Sequence, residues 1–217
     1  MGKAIEEEAV GSQTGLTIVR RCQRGDPIGD KMTEVDVVID VSHPEATDAW
    51  CSVCTKNRIP LVIGTTGHSA EQRNIIEKTA RLVAVVLASN FSIGVNALFA
   101  LTRRAKEILG SEFTRKIVEV HHKMKKDAPS GTAKTLAEIL RREGDAGQIP
   151  IQSVREGEIV GEHTVIFSGG GEQVELTHHA ESRAIFARGA LRAARWIVDQ
   201  PPGLYSMQDV LGLAGVR

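Results

Sequence analysis

The sequence predicts an α/β fold in two parts: a helix-covered parallel sheet and an α+β region with an open mixed or antiparallel sheet. Three continuous apolar runs, Val35–Val41, Leu61–Gly64 and Leu82–Leu87, alternate with helical patterns. This arrangement is typical of a parallel sheet buried on both faces. After residue 110 the strand candidates alternate polar and apolar residues, as in Gln173–Thr177. That pattern suits a sheet with one solvated face.

The first part is predicted to begin with an amphipathic helix over residues 2–11. A short strand at Leu16–Val19 and a polar loop from Arg20 to Met32 follow that helix. Each of the three buried strands is expected to lead into a helix, and these helices lie near residues 45–56, 69–80 and 95–109.

The second part is predicted to contain four strands and to lead back into helix. The strands are expected over 115–120, 151–155, 164–167 and 173–177, with a helix over 131–143 between the first two. A helix over 182–198 and a short helix over 207–213 complete the chain. The predicted domains are therefore residues 1–92, completed by 183–217, and residues 93–182.

Composition excludes several classes of partner. Lys+Arg and Asp+Glu both total 27, so no global charge indicates nucleic acid or a membrane surface. No apolar run approaches the roughly 20 residues of a membrane helix, and the acidic N-terminal residues do not resemble a targeting peptide. Three cysteines, an odd number, favour a reducing compartment, so a cytoplasmic location is expected.

Two polar loops follow neighbouring buried strands. Gly64-Thr-Thr-Gly67 comes after one strand and Ala88-Ser-Asn-Phe91 after the next. Ligands of open α/β sheets bind at the carboxyl ends of the strands, and glycine lets a ligand approach the backbone. A tight turn followed by a capped helix explains either loop at least as well, but the two loops together are more suggestive of a ligand site than either one alone.

The cysteine and histidine patterns give weaker signals. Cys51-Ser-Val-Cys54 has no second pair at metal-ligand spacing, so two packed thiols are expected rather than zinc. His43 and His68 lie at loop ends from which they could reach the crevice at the strand ends, and the pair His178-His179 at a strand end is interpreted as a solvated turn. No metal is expected.

Residues 119–133 combine two histidines, three lysines and a Ser-Gly-Thr helix start. On a strand that stays extended, His121, Lys123 and Lys125 project from one face. The free N–H groups at the start of the next helix favour an anion. An acid-catalysis site for a small anion and a solvated cationic loop are both compatible with this pattern. A nucleic-acid surface is not favoured, because aromatic stacking residues and a wider basic face are missing.

The run His121-His-Lys-Met-Lys-Lys-Asp-Ala-Pro-Ser-Gly-Thr-Ala133 resembles the signature of the dihydrodipicolinate reductase family, E-x-H-H-x-x-K-x-D-A-P-S-G-T-A. Other matching segments occur in the right order, among them Val38-Ile-Asp-Val-Ser-His-Pro-Glu45, Ile63-Gly-Thr-Thr-Gly67, Gly161-Glu-His163 and Ser182-Arg183. The resemblance covers nearly the whole chain.

The resemblance implies a Rossmann-like nucleotide-binding domain and a substrate-binding domain that forms a homotetramer. It implies NAD(P)H-dependent reduction of 4-hydroxy-tetrahydrodipicolinate, a small dicarboxylate, in lysine and diaminopimelate biosynthesis. His121 is then the acid/base residue and Lys125 the proton donor, while His122, Gly131 and Thr132 bind substrate carboxylates. The implied cofactor-binding residues are Gly64, Thr65, Thr66, Ala88, Ser89, Asn90 and Phe91.

The beginning of the chain departs from the family pattern of a strand followed by G-x-x-G-R-M-G. Met1-Gly-Lys-Ala4 resembles only the end of that motif, so most pyrophosphate contacts are expected to be missing. A start assigned at an internal methionine is the favoured hypothesis. A truncated or non-catalytic paralogue is the alternative. NADPH is favoured over NADH, because Val19–Gly25 holds three arginines and no acid.

Overall fold

The computed structural model describes residues 1–11, 15–29, 32–141 and 148–213. The chain divides into two compact units. Within the described residues, unit 1 contains Met1–Ile93 and the segment from Ala184 to Leu213, and unit 2 contains Gly94–Arg183. The roles assigned to the two regions from the sequence stay predictions.

Helices and strands follow one another along the chain in the following order. They are α1 (Gly2–Gly11), β1 (Val38–Asp40), α2 (Pro44–Asn57), β2 (Leu61–Ile63), α3 (Ala70–Ala80), β3 (Ala84–Leu87), α4 (Ile93–Leu109), β4 (Thr114–His121), α5 (Gly131–Leu140), β5 (Ile151–Arg155), β6 (Gly161–Gly169), β7 (Glu172–Ala180), α6 (Ala184–Ile197), β8 (Gly203–Tyr205) and α7 (Met207–Val210).

Unit 1 is built on a parallel sheet with the strand order β1-β2-β3-β8. Apolar side chains cover both of its faces. Leu61 and Ile63 belong to the apolar cluster that includes residues of α2, and Val62 belongs to the cluster that includes α6. The continuous apolar runs therefore predicted a buried parallel sheet correctly. The predicted Rossmann-like α/β class is confirmed for this unit.

One predicted strand of unit 1 is wrong, and one observed strand was not predicted. Leu16–Val19 is irregular in the structure and is not a strand, and Val19 is 57% exposed. An apolar run becomes a strand only where a neighbour completes its hydrogen bonds. Conversely, β8 is only three residues long, and its parallel pairing with β3 is non-local.

Unit 2 is built on a mixed sheet with the strand order β5-β4-β6-β7. β4 runs parallel to β5 and antiparallel to β6, and β6 runs antiparallel to β7. The alternation of the strands predicted the open sheet correctly. Its inner face packs Ile117, Val165 and Phe167 in one cluster with Leu136 of α5. The inner-face positions of β4 therefore point into a dry layer.

The predicted helices are confirmed within a few residues, apart from the ends of α7, which stops at Val210 rather than at residue 213, and of α5. The sequence placed that end at residue 143, whereas α5 ends at Leu140 and Arg141 is extended (φ −61°, ψ 147°). Residues 142 and 143 lie outside the described residues. None of the helices in the described part of the chain is long and apolar enough to cross a membrane. Cys51 and Cys54 are buried free thiols, and burial raises the pKa of Cys54 to about 12.

Candidate active site

The end of β4 places a carboxylate and an imidazole on the inner face of the unit 2 sheet. Glu119 and His121 are two positions apart on the strand, so both side chains point to the same side. Glu119 is fully buried and His121 is 6% exposed. The Nδ1 atom of His121 is hydrogen-bonded to Oε2 of Glu119. The site is therefore organised around a buried carboxylate–histidine pair.

Two further donors hold the other oxygen of Glu119. The Nη2 atom of Arg155 donates to Oε1 at 2.8 Å, and the backbone N–H of Ser130 donates to the same oxygen at 3.3 Å. Burial raises the pKa of this carboxyl. The hydrogen bonds from Arg155 and Ser153, with the charges of His121 and Arg155, outweigh burial, so the pKa lies below its usual range. Glu119 is thus a carboxylate at neutral pH.

A second histidine packs against the first. The rings of His121 and His163 meet edge to face, with their centroids 5.0 Å apart and an interplanar angle of 75°. Nε2 of His163 lies 3.1 Å from Oγ of Ser130. Burial lowers the pKa of His163 to about 3, and the charge of His121 adds to the decrease. His163 is therefore neutral across the physiological pH range.

The pKa of His121 reflects opposing effects. Burial lowers it, the charge and hydrogen bond of Glu119 raise it, and the charges of Lys125 and Arg155 lower it further. The net pKa of His121 lies below its ordinary value. His121 is therefore a neutral base at pH 7 that a carboxylate stabilises once it takes up a proton.

Glu119, His121 and His163 also have ligand atoms within 4.8 Å of one another, which is close enough to consider a metal ion. The arrangement suits a cation poorly, because the guanidinium of Arg155 already neutralises the carboxylate and would repel a metal ion. The predicted lack of a metal stays a prediction.

The loop after β4 carries Lys125 and leads into α5. Nζ of Lys125 lies 2.7 Å from Oδ1 of Asp127. Ser130 caps α5, and its Oγ accepts a hydrogen bond from the N–H of Ala133 at 3.2 Å. Gly131 and Thr132 occupy the first turn of α5, and the N-terminus of a helix favours negative charge.

An arginine from the end of unit 2 contacts the histidine that follows His121. Nη2 of Arg183 lies 3.2 Å from Nε2 of His122. A guanidinium donates only, so this contact makes Nε2 of His122 the acceptor. A carboxylate that enters here finds an arginine and a histidine already next to each other.

Unit 1 carries a separate pocket at the carboxyl ends of its strands. The pocket has a volume of about 660 Å³ and is lined by the two predicted loops, with Gly64, Thr65, Thr66, Ser89, Asn90 and Phe91 among its residues. The seventh predicted residue, Ala88, is buried and does not line the pocket; its N–H donates to the carbonyl of Ile63 at 3.0 Å.

A buried aspartate holds the polar loops of this pocket. Oδ1 of Asp40 accepts from the backbone N–H of Ser42 at 3.0 Å and from Oγ1 of Thr65 at 3.1 Å. Its Oδ2 accepts from Oγ1 of Thr47 at 3.3 Å. Asp40 is 2% exposed, so these bonds replace the water that the carboxylate has lost.

Models of the dihydrodipicolinate reductase N-terminus and C-terminus match residues 1–91 and 94–211 of this chain. The chain belongs to the dihydrodipicolinate reductase family. It is therefore an oxidoreductase, and the family that its motif indicated is confirmed.

Individual members of the dihydrodipicolinate reductase family support the same assignment. The 4-hydroxy-tetrahydrodipicolinate reductase of Akkermansia muciniphila is 45% identical over 233 residues, which cover 99% of this chain and 94% of that protein. The enzyme of the same name from Syntrophus aciditrophicus is 47% identical over 196 residues, covering 82% of this chain and 73% of that protein. A dipicolinate-bound dihydrodipicolinate reductase from Paenisporosarcina sp. TG-14 has a TM-score of 0.68 and 27% identity, covering 80% and 72% of the two chains. The non-catalytic alternative is not favoured.

Sequence reasoning about this reductase missed five residues of the two sites, namely Asp40, Glu119, Arg155, His163 and Arg183. Four of them lay inside segments that match the reductase family and carried a weak signal. Arg155 had none, because only the pairing of β4 with β5 brings it to His121.

Proposed function

We propose that this chain reduces 4-hydroxy-tetrahydrodipicolinate to tetrahydrodipicolinate with NAD(P)H, in the synthesis of lysine and diaminopimelate. The names of its relatives support this reaction. The observation that carries the proposal is the buried Glu119–His121 pair of unit 2, with the Lys125 charge close enough to lower the pKa of His121.

The reaction requires one hydride, one proton and the loss of one water. The substrate gives up its 4-hydroxyl group as water, and the ring gains a hydride at one carbon and a proton at its partner. A bound nicotinamide supplies the hydride. The protein must therefore orient the ring, stabilise its negative charge and deliver the proton.

Lys125 and His121 divide the proton chemistry in this proposal. The ammonium group of Lys125 is the proton donor, and Asp127 holds it at 2.7 Å. His121 is the acid/base residue that takes up or returns a proton through Nε2, since its Nδ1 is bonded to Glu119.

The two substrate carboxylates are assigned to two places in unit 2, the start of α5 and the pair His122–Arg183. One carboxylate accepts from the N–H groups of Gly131 and Thr132, where the helix terminus favours negative charge. The other meets His122 and Arg183. The dipicolinate named in the related structure is itself a dicarboxylate, which supports sites for two anionic groups. Unit 2 is thus the substrate-binding domain.

Unit 1 is the dinucleotide-binding domain in this proposal, and its 660 Å³ pocket receives the cofactor. The size lies within the range of cofactor pockets. The residues fit the group, since hydroxyls of Thr65 and Thr66 and the amide of Asn90 offer donors and acceptors. They would hold the nicotinamide portion.

NADPH is proposed as the preferred cofactor, because Arg20 and Arg21 line a groove of about 730 Å³ in unit 1. Glu6 pairs with Arg21 at 2.9 Å, which reduces the charge available to a 2′-phosphate and makes the preference modest. Steady-state rates with NADPH and NADH measure it. A higher kcat/KM with NADH would contradict this assignment.

A homotetramer is proposed through the unit 2 sheet, whose outer face we define by Glu162, Thr164, Thr177 and His179. These side chains bond across strands, Thr164 to Thr177 at 3.0 Å and His179 to Glu162 at 2.9 Å. The expected light-scattering mass is four times the chain mass of 23.5 kDa. A single-chain mass would contradict the tetramer. We also propose a cytoplasmic location.

Substrate-dependent oxidation of NADPH by the purified chain tests the reaction. We expect turnover in the wild type and a loss of kcat of about 100-fold in Lys125→Met, because the proton donor is removed. Lys126→Met is the matched control and should stay within about 2-fold of wild type. Failure of the wild type to turn over with either cofactor would overturn the proposal.

A further inference from the structure

We propose that Glu119 is the positioning residue of the acid–base site: it keeps a proton on Nδ1 of His121 and reserves Nε2 for proton exchange with the substrate. The inference rests on the proposed function only in naming the reaction. Its geometric basis is the hydrogen bond from Nδ1 of His121 to Oε2 of Glu119.

The carboxylate of Glu119 is held from three elements. Arg155 of β5 and the backbone N–H of Ser130, just before α5, both bond Oε1. His121 of β4 bonds Oε2. Each oxygen thus has a fixed partner, and the fully buried side chain is closed to solvent. The carboxylate can serve as a rigid acceptor for a single ring nitrogen.

The imidazole of His121 is confined on its other sides as well. His163 packs edge to face against the ring. A Cβ atom added at Gly161 would lie only 3.0 Å from Nε2 of His121. Glycine at this position therefore leaves space beside the nitrogen that exchanges the proton.

Among the groups around His121, only Glu119 bonds Nδ1 and can therefore select the tautomer of the ring. Glu119 is its carboxylate partner, Lys125 and Arg155 are cations, and His163 is neutral at pH 7. A neutral imidazole carries its proton on either nitrogen, and the bond made by one nitrogen decides which. An ionised carboxylate accepts only, so it selects the form with a proton on Nδ1.

Nitrogen NMR of ¹⁵N-histidine-labelled protein tests the inference without any mutation. We expect the His121 signals, assigned by their loss in His121→Gln, to show a protonated Nδ1 and a bare Nε2 at neutral pH. A proton on Nε2 in the wild type would overturn the proposal whether or not the enzyme turns over. Absence of turnover in the wild type, by contrast, would overturn the proposed function alone.

Glu119→Gln tests the kinetic consequence. Glutamine keeps the shape, but Arg155 and the N–H of Ser130 donate to its oxygen, so its amino group faces Nδ1 of His121 and favours the tautomer with the proton on Nε2. We expect kcat to fall about 100-fold with each KM within about 3-fold of wild type, and the NMR signals to show a changed tautomer.

Glu162→Gln is the matched control, because Glu162 also accepts from the Nδ1 atom of a histidine, His179, but on the outer face. Its kcat should stay within about 2-fold of wild type. Equal losses of kcat in the two variants, or an unchanged His121 tautomer in Glu119→Gln, would contradict the proposal. If Glu119→Gln does not fold, the wild-type NMR experiment still decides.

Discussion

The unit 2 sheet carries two carboxylate–histidine pairs of the same chemistry on opposite faces. On the inner face, Glu119 and His121 have side chains that are 0% and 8% exposed. On the outer face, Glu162 and His179 are 35% and 54% exposed. Both carboxylates bond Nδ1 of their histidine. The two pairs differ only in their surroundings, so comparing them shows how burial changes the behaviour of a carboxylate–histidine pair.

Burial changes the pair by removing water as a competitor. An exposed pair of this kind contributes about 0–1 kcal/mol and is screened by salt. The inner pair has no such screening, and its carboxylate stays ionised because Arg155 is bonded to it. The inner pair can therefore hold a neutral base in one orientation, which the outer pair cannot do.

Strand alternation separates the two pairs. Adjacent residues of β6 point to opposite faces, so Glu162 faces outward and its neighbour His163 faces inward. The register places Glu162 opposite His179 and His163 opposite Glu119. Two neighbouring residues on one strand thus serve an exposed pair and a buried site.

The largest expected effect comes from the histidines themselves. His121→Gln should lower kcat about 1000-fold, because it removes the acid/base group. His179→Gln should leave kcat within about 2-fold of wild type. Steady-state kinetics on both variants, with circular dichroism to check folding, makes the comparison. Similar losses in both would show that burial does not distinguish the pairs.

A smaller effect is expected in the pH dependence of stability. The folded pKa of His163 is about 3 and its ordinary value is 6.5, so the unfolded state takes up the proton first. The stability that the neutral residue contributes is complete above about pH 6.5 and is lost as the pH falls toward 3. Between about pH 7.5 and pH 5 the loss should be on the order of 2 kcal/mol.

Urea unfolding of His163→Gln measures this contribution. Glutamine can still bond Oγ of Ser130 but does not titrate, so the dependence on pH should be flatter than in the wild type by that amount. His179→Gln, which changes an exposed histidine, should follow the wild-type curve. Parallel curves for His163→Gln and the wild type would contradict the assignment of a buried neutral histidine.

The sequence predictions were correct for features with a local signal and failed where contacts between distant segments decide the structure. The buried strands of unit 1 were found because a continuous apolar run is a local signal. Leu16–Val19 has that signal but is irregular, and its residues 17–19 are exposed. β8 lacks that signal and forms through its non-local pairing with β3.

The residues of the candidate site also differ in whether a local sequence pattern reveals them. His121 and Lys125 lie in one short motif and were predicted from it. Arg155 comes from another strand, and its place opposite His121 is fixed by the β4–β5 register. Asp40 lies in an apolar run, and its function in the pocket depends on Thr65 from a different loop. A carboxylate's partners are visible only once the chain has folded.

The smallest expected effect comes from one methyl group beside the inner pair. Gly161→Ala places a Cβ atom 3.0 Å from Nε2 of His121, so the ring must move by a few tenths of an ångström. Glu119 and His163 restrict that movement. We expect kcat to fall about 10-fold, or about 1.4 kcal/mol, because small displacements of a catalytic group are costly.

Gly11→Ala is the control, since the added Cβ atom at the end of α1 meets open space, and its kcat should be unchanged. The urea midpoint of Gly161→Ala should also remain close to wild type, which separates a displaced ring from an unfolded site. Unchanged turnover in Gly161→Ala would mean that the inner pair tolerates movement. Rigid positioning of the His121 ring would then not distinguish the buried pair from the exposed pair.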